Sequence, residues 1–135
     1  MPSLLADHNC DGHIERMVLA WKLDRLLEIW IDLAWNAERF GDVGLDDKTP
    51  DDAVWRFCQE NEYVLLTNNR NCDGDDSLEA TIRRCNKNDS LPVITIGDGE
   101  RFMHDWDYTI RAARKAIDYL FDIDNLRGTG RLYVP

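Results

Sequence analysis

Several features that commonly define a class of protein are missing from this sequence. Its four cysteines contain no CxxC pair, which excludes a zinc ribbon and a thioredoxin-type redox motif. No GxSxG motif is present, and no cysteine has a base suggested beside it, so nucleophilic catalysis has no sequence support. No linker, low-complexity tract or long repeat divides the chain. These absences favour a single folded domain.

Signals for export or membrane insertion are also lacking. The opening residues, MPSLLAD, carry no positively charged segment and only a very short apolar run. We therefore expect no membrane association, a cytoplasmic location and reduced cysteine thiols. The 135 residues, 44% of them hydrophobic and five of them tryptophan, are enough for one domain with a substantial core.

Positive charge is in short supply. The chain has 16 Lys and Arg against 26 Asp and Glu, a formal net charge of −10 that repels polyanions. A large nucleic-acid surface is therefore not expected. Some basic residues lie outside the most acidic stretch, and they form either a local basic strip or ordinary solvated surface. These residues are Arg70, Arg83, Arg84, Lys87, Arg101, Arg127 and Arg131.

The sequence does contain one four-residue motif twice, Asn-Cys-Asp-Gly. The copies at 9–12 and 71–74 each follow a short apolar run, Ser3–Ala6 and Tyr63–Thr67, typical of a buried strand. The carboxyl ends of parallel strands meet at one edge of a sheet, where open α/β sheets place their sites. The repeated motif therefore predicts that four polar residues lie close together: Asp7, Asn69, Asn71 and Asp73. The alternative is that it marks only two ordinary turns.

The remaining pattern predicts an α/β fold with a mainly parallel sheet, because strands alternate with helices. Further strands are expected at 91–96 and 132–134, and helices at 12–25, 50–62, 77–87 and 102–122. Residues 26–40 fit either a helix or a strand. Thr49 is expected to cap the second helix and Asp76 the third, and the last helix is expected to bury Trp106 and Phe121 on one face.

Acidic residues at these element ends suggest a site for a hard cation. Asp7 ends the first strand, Asp51 and Asp52 open the helix that leads into the strand at 63–67, and Asp73 follows that strand. Oxygen ligands of this kind suit Mg²⁺ or Mn²⁺, which activate water and brace a phosphodiester. The alternative for Asp51 and Asp52 is helix stabilisation, because acids in a first turn are favoured by the helix dipole.

Two other ions fit the pattern less well. The spacing from Asp7 to Gly12 matches the first half of a calcium loop, but the closing glutamate is replaced by Val18, and by Ala80 in the second copy. Zinc binding through His8, Cys10 and His13 would need a spacing that is not a recognised ligand pattern.

Taken in order, these segments resemble the PIN-like superfamily, and most closely small bacterial PIN-like proteins related to VapC-type toxin ribonucleases. The resemblance covers residues 3 to about 96 and is carried by three segments: LLADHN at 4–9, TPDDAVW at 49–55 and VLLTNNRN at 64–71. It implies a single three-layer α/β/α domain over residues 1–135, and an endoribonuclease that uses Mg²⁺ or Mn²⁺ on RNA.

The same resemblance implies which residues form the site. Asp7 matches the first catalytic acid, Asp51 or Asp52 the acid at the head of a helix, and Asn69 and Asn71 the two acids of a Thr-x-Asp-x-Asp motif. Two amides therefore replace two carboxylates, and Asp73 is a nearby acid that offsets part of the loss. The implied metal ligands are Asp7, Asp52, Asn69 and Asp73.

Two functions follow from these expectations. One is a metal-dependent ribonuclease acting on single-stranded RNA. The other is a catalytically inactive PIN-fold module that binds or regulates, in a toxin–antitoxin setting, through a protein partner or as a homodimer. The acids favour the first function, and the net charge and the two asparagines favour the second.

Overall fold

Short, continuous apolar runs form the centre of the fold. The computed structural model describes residues 2–23, 25–69, 74 and 77–135. Within them, five strands form one parallel sheet in the order β2-β1-β3-β4-β5. The strands are β1 (Ser3–Ala6), β2 (Ala37–Glu38), β3 (Tyr63–Thr67), β4 (Val93–Ile96) and β5 (Arg131–Val134).

Helices connect the strands and cover both faces of the sheet. They are α1 (Asp11–Leu23), α2 (Leu27–Leu33), α3 (Phe40–Val43), α4 (Asp51–Glu60), α5 (Leu78–Cys85), α6 (Gly99–His104) and α7 (Trp106–Phe121), and a short 3₁₀ helix spans Ile123–Leu126. The chain is therefore a three-layer α/β/α domain with a parallel sheet, as the alternation of strands and helices predicts.

Two hydrophobic cores lie on opposite sides of the sheet because successive side chains of a strand point to opposite faces. Leu4 and Leu66 pack in the larger core, beneath α1 and α7, around the fully buried Trp21. Leu5 and Leu65 pack in the smaller core, beneath α4 and α5. Strands buried on both faces must be apolar throughout, which is why these runs show no polar alternation.

The strand order creates a switch point between β1 and β3. The two strands pair in parallel, with Leu4 opposite Val64 and Ala6 opposite Leu66. The chain leaves β1 for β2 on one side and later continues from β3 toward β5 on the other. Connections that diverge in this way leave a crevice at the carboxyl edge, where open α/β sheets bind ligands. The adjacency of these two strands is the arrangement that the sequence predicts.

Two predicted helix caps, Thr49 and Asp76, are wrong. The cap of α4 is Pro50, and the Thr49 hydroxyl instead donates to the carbonyl of Asp46. The cap of α5 is Ser77, whose hydroxyl accepts from the backbone N–H of Ala80. Asp76 lies outside the described residues. Residues 26–40 contain both a helix and a two-residue strand.

The predicted helix at 102–122 is two helices. Asp105 ends α6 and caps α7, because its carboxylate accepts from the backbone N–H of Tyr108. Trp106 and Phe121 do not belong to the buried face, since they are 37% and 74% exposed. The apolar stripe of α7 is formed instead by residues such as Ala113, Ile117 and Leu120.

Adjacent residues at the end of α7 provide a test of this packing. Leu120 is 1% exposed, whereas Phe121 projects into solvent. Leu120→Ala should lower the free energy of unfolding by about 2–4 kcal/mol because it leaves a cavity in the larger core. Phe121→Ala should change it by less than about 0.5 kcal/mol. Urea denaturation followed by circular dichroism measures both, and equal losses would contradict the assigned orientation of α7.

Candidate functional site

Asp7 is a buried acid at the carboxyl edge of the sheet. It follows β1 directly and is only 2% exposed. One carboxylate oxygen, Oδ1, accepts from the backbone N–H of His8 at 2.8 Å. The other, Oδ2, accepts from the Thr67 hydroxyl at 2.7 Å. A carboxylate oxygen can accept more than one hydrogen bond, so this carboxylate is fixed in orientation and retains capacity for another ligand.

A chain of hydrogen bonds links Asp7 to a second acid. The Thr67 hydroxyl, which donates to Asp7, accepts from the backbone N–H of Asn69 at 3.0 Å. The Asn69 side chain then donates from Nδ2 to Oδ2 of Asp51 at 2.9 Å. Acids at the end of β1 and at the start of α4 are thereby connected through the end of β3. The structure thus brings together Asp7, Asn69 and Asp51.

Asp52 has a different role from Asp51. Its Oδ1 accepts from the backbone N–H of Ala53, and its Oδ2 lies 3.4 Å from Nη1 of Arg56. Both contacts are within the first turns of α4, as expected of an acid that stabilises a helix N-terminus. The structure therefore gives Asp51, and not Asp52, the position beside Asn69. Asn71 and Asp73 lie outside the described residues.

A buried arginine holds the segment that carries Asn69. Nη1 of Arg131 donates to the Asn69 carbonyl at 2.8 Å and to the Thr95 hydroxyl at 2.7 Å. Nε donates to Oε2 of Glu79 at 3.0 Å, and Nη2 lies 2.9 Å from the same oxygen as an ion pair rather than a hydrogen bond. The Arg131 side chain is 6% exposed. Three elements, β5, β4 and α5, thus fix the backbone at the end of β3.

The start of α6 approaches the segment that follows β3. A Cβ at Gly99 would lie 2.7 Å from Nδ2 of Asn68 and 3.2 Å from Nε2 of His13, so glycine permits this close approach. His13 bonds through Nε2 to the Gly99 carbonyl at 2.9 Å and stacks on Phe102. These contacts hold α1 and α6 against the end of β3.

Cys10 and the two nearby histidines do not form a zinc site. Among the described residues, no group of three or more His, Cys, Asp and Glu side chains is placed to hold a metal ion. Burial, with further contributions from Asp7 and Asp11, raises the pKa of Cys10 to about 12. Its thiol therefore remains protonated near neutral pH, which does not suit a nucleophile.

Many of the basic residues of the hypothetical strip are engaged by acids. Arg83 and Arg131 both pair with Glu79, Arg101 pairs with Asp105, and Arg127 pairs with Glu62 and Asp124. Pairing of this kind reduces the positive charge available to a polyanion. Arg70 lies outside the described residues. The described residues therefore favour ordinary surface and structural roles over a continuous basic strip.

Two interactions were not predicted from the sequence: the clamp formed by Arg131 and Glu79, and the hydrogen bond from Thr67 to Asp7. The second could have been found, because Thr67 is predicted to end a strand next to the strand that ends before Asp7. Arg131 gives no such signal, because its partners lie 36 to 62 residues away in sequence.

No family model, curated protein or solved structure matches the chain. In the part of the chain that the structure describes, no helix is both long and apolar enough to span a membrane.

The clamp can be tested with two arginines that share one partner. Arg131→Ala should lower the free energy of unfolding by about 1–3 kcal/mol, because it removes the donor that the Asn69 carbonyl and the buried Thr95 hydroxyl share. Arg83→Ala is the matched control: its side chain is 76% exposed, so its removal should cost less than about 1 kcal/mol. Urea denaturation measures both, and similar values for the two variants would rule out the clamp.

Proposed function

We propose that this chain is a PIN-like protein that cleaves single-stranded RNA in a Mg²⁺- or Mn²⁺-dependent reaction at the carboxyl edge of its sheet. The observation that carries the proposal is the hydrogen-bond chain from Asp7 through Thr67 and Asn69 to Asp51. It joins two acids from separate elements at the switch point of the sheet, where a ligand is expected.

The donor atoms suit a hard cation. Mg²⁺ prefers oxygen ligands and is commonly held by one or two carboxylates, with water and substrate phosphate completing its coordination. Asp7 and Asp51 supply two carboxylates of this kind. Asn69 adds an amide. When bound, such an ion activates water and stabilises charge on the phosphate.

The chain itself contributes orientation. The His8 N–H and the Thr67 hydroxyl fix both oxygens of Asp7, and burial prevents the side chain from rotating into solvent. Asn69 orients Asp51 through its amide, while Arg131 holds the Asn69 backbone. A site held in this way does not have to reorganise as charge develops on a reacting phosphate.

A second candidate function is a PIN-fold module without catalysis that binds or regulates a protein partner, or forms a homodimer. One observation favours it: the neutral amide of Asn69 already satisfies Asp51, so the two groups are compatible without a cation. The net charge of −10 also disfavours a long RNA surface. This module would keep the polar crevice as a fixed structural feature.

Asp7→Asn separates these functions. It should reduce Mn²⁺-dependent cleavage of single-stranded RNA about 100-fold or more, because an amide neither holds the cation nor orients its water as a carboxylate does. Asp118→Asn, an exposed acid on α7, is the matched control and should cleave like the wild type. Gel analysis of a labelled RNA gives the rates, and circular dichroism verifies that both variants are folded.

Cleavage that persists in excess EDTA would contradict the metal mechanism. Equal cleavage by the wild type and by Asp7→Asn would contradict the assigned site. No cleavage by the folded wild type with either Mg²⁺ or Mn²⁺ would favour the module.

A further inference from the structure

Exposed apolar side chains are concentrated on one short stretch of this chain. Eight large hydrophobic residues are exposed among those that the structure describes, and five of them lie between residues 19 and 31. Leu19 and Leu23 are on α1, and Leu27, Ile29 and Ile31 are on α2, with exposures from 37% to 69%. These five side chains are called the apolar surface below. Grouped apolar residues of this kind mark a binding surface, whereas scattered single ones do not.

The two leucines of α1 point away from the core. This helix buries Ile14, Met17 and Trp21 in the larger core. At about 100° per residue, Leu19 and Leu23 project from the opposite side of the helix. They therefore add nothing to the packing of α1 against the sheet, and the helix has a second apolar face that the fold of one chain leaves uncovered.

The apolar arc of α2 is wider than its packing requires. None of its residues is buried, and Trp30 and Leu33 pack partly buried against the larger core. Its five apolar residues span about 200° of the circumference, twice the stripe of roughly 100° that a surface helix needs to face a core. Leu27 and Ile31, one turn apart, form the surplus part of this arc. The width of the arc is explained if a second surface covers that part.

The apolar surface is remote from the candidate site. The turn after Asp7 leads directly into α1, whose 13 residues extend about 20 Å away from it. Leu23 ends this helix, and α2 follows. A partner on the apolar surface therefore leaves the carboxyl edge of the sheet accessible.

The charges beside the apolar surface have both signs. Lys22 and Arg25 precede α2, and Glu28 and Asp32 lie on it. In the part of the chain that the structure describes, none of these four side chains has an ion pair or a hydrogen bond. The fifth charged residue between 19 and 33, Asp24, lies outside the described residues. Unpaired cations therefore stand at one end of the surface and unpaired anions at the other.

This charge pattern suits a protein surface rather than a lipid bilayer. Helices that lie in a membrane interface carry Lys and Arg on their polar face, whereas the polar face of α2 carries only Glu28 and Asp32. The net charge of −10 also opposes binding to anionic lipids. On the neighbouring surface of α1, Arg39 is already engaged by Glu15 at 2.7 Å and by Asp42 at 3.9 Å.

We propose that the apolar surface binds a second copy of this chain, with the two α2 helices antiparallel across a two-fold axis. In such an interface every contact is matched by its reciprocal. An axis near Ile29 places Leu27 of one copy beside Ile31 of the other, and Arg25 of one copy within a turn of Asp32 of the other. Each copy thereby supplies the opposite charge that its partner lacks, and the apolar side chains leave water.

The interface uses no residue of the site around Asp7. It is compatible with RNA cleavage at that site and with the module without catalysis. Its failure would therefore leave both proposed functions unchanged.

Sedimentation equilibrium of the full chain, with a reducing agent present, tests the proposal. The average mass should rise with concentration from 15.7 kDa toward twice that value. We expect a dimer Kd of about 1–50 μM, because five partly exposed side chains make a small interface. Ile31→Glu should weaken association about 10-fold or more, because it places a charge in the apolar contact. Phe121→Glu is the matched control: this side chain is 74% exposed and outside the apolar surface, so the variant should associate like the wild type.

Charge reversals test the antiparallel arrangement. Arg25→Glu and Asp32→Arg should each weaken association about fivefold, because each one places like charges together. The double variant that carries both changes exchanges the two charges and should recover the affinity of the wild type. Circular dichroism verifies that every variant is folded.

A wild type that stays monomeric up to about 200 μM, well above the expected Kd, overturns the proposal. Equal association of the wild type and Ile31→Glu overturns it as well, as does a double charge variant no tighter than the single ones. Flotation of monomeric wild type with phosphatidylcholine vesicles, abolished by Ile31→Glu, would assign the surface to a membrane and would also overturn it.

Discussion

The hydrogen bond from the Thr67 hydroxyl to the Asp7 carboxylate is the interaction on which the candidate site depends. Both residues are buried where β1 and β3 end, so this bond satisfies an acid that would otherwise be costly to bury. The same hydroxyl accepts from Asn69, which extends the connection to Asp51. Arg131, on β5, then fixes the Asn69 carbonyl. Removal of the Thr67 hydroxyl would leave Oδ2 of the buried Asp7 without its donor.

A second feature of the molecule is that many of its charged side chains are paired with a neighbouring group. An amide, rather than a cation or a further acid, faces Asp51, and many of the described arginines pair with carboxylates. An excess of acids is compatible with a stable fold because the groups in the interior are paired, while the excess lies on the surface.

The sequence predicts the sheet better than the details of the site. Continuous apolar runs identify β1 and β3, and the topology of parallel sheets then places Asp7 near Asn69. Periodicity could not separate Asp51 from Asp52, because a rotation of about 100° per residue decides which one faces β3. Periodicity also did not reveal that the helix ends and a new one begins at Asp105, since an aspartate is found on a helix surface as well as at a cap. The contacts of Arg131 could not be predicted from the sequence, because they join residues that only the tertiary fold brings together.

The central claim is that Asp7, Asn69 and Asp51 form one connected site able to hold a divalent cation. Paramagnetic broadening by Mn²⁺ in a ¹H–¹⁵N spectrum of the wild-type protein tests it most directly, because broadening falls steeply with distance from the ion. The account predicts that substoichiometric Mn²⁺ broadens the amide resonances of these three residues and of His8 before others. Broadening that begins instead at exposed acids such as Asp46 and Asp47, with the resonances of Asp7 and Asn69 unaffected, would contradict it.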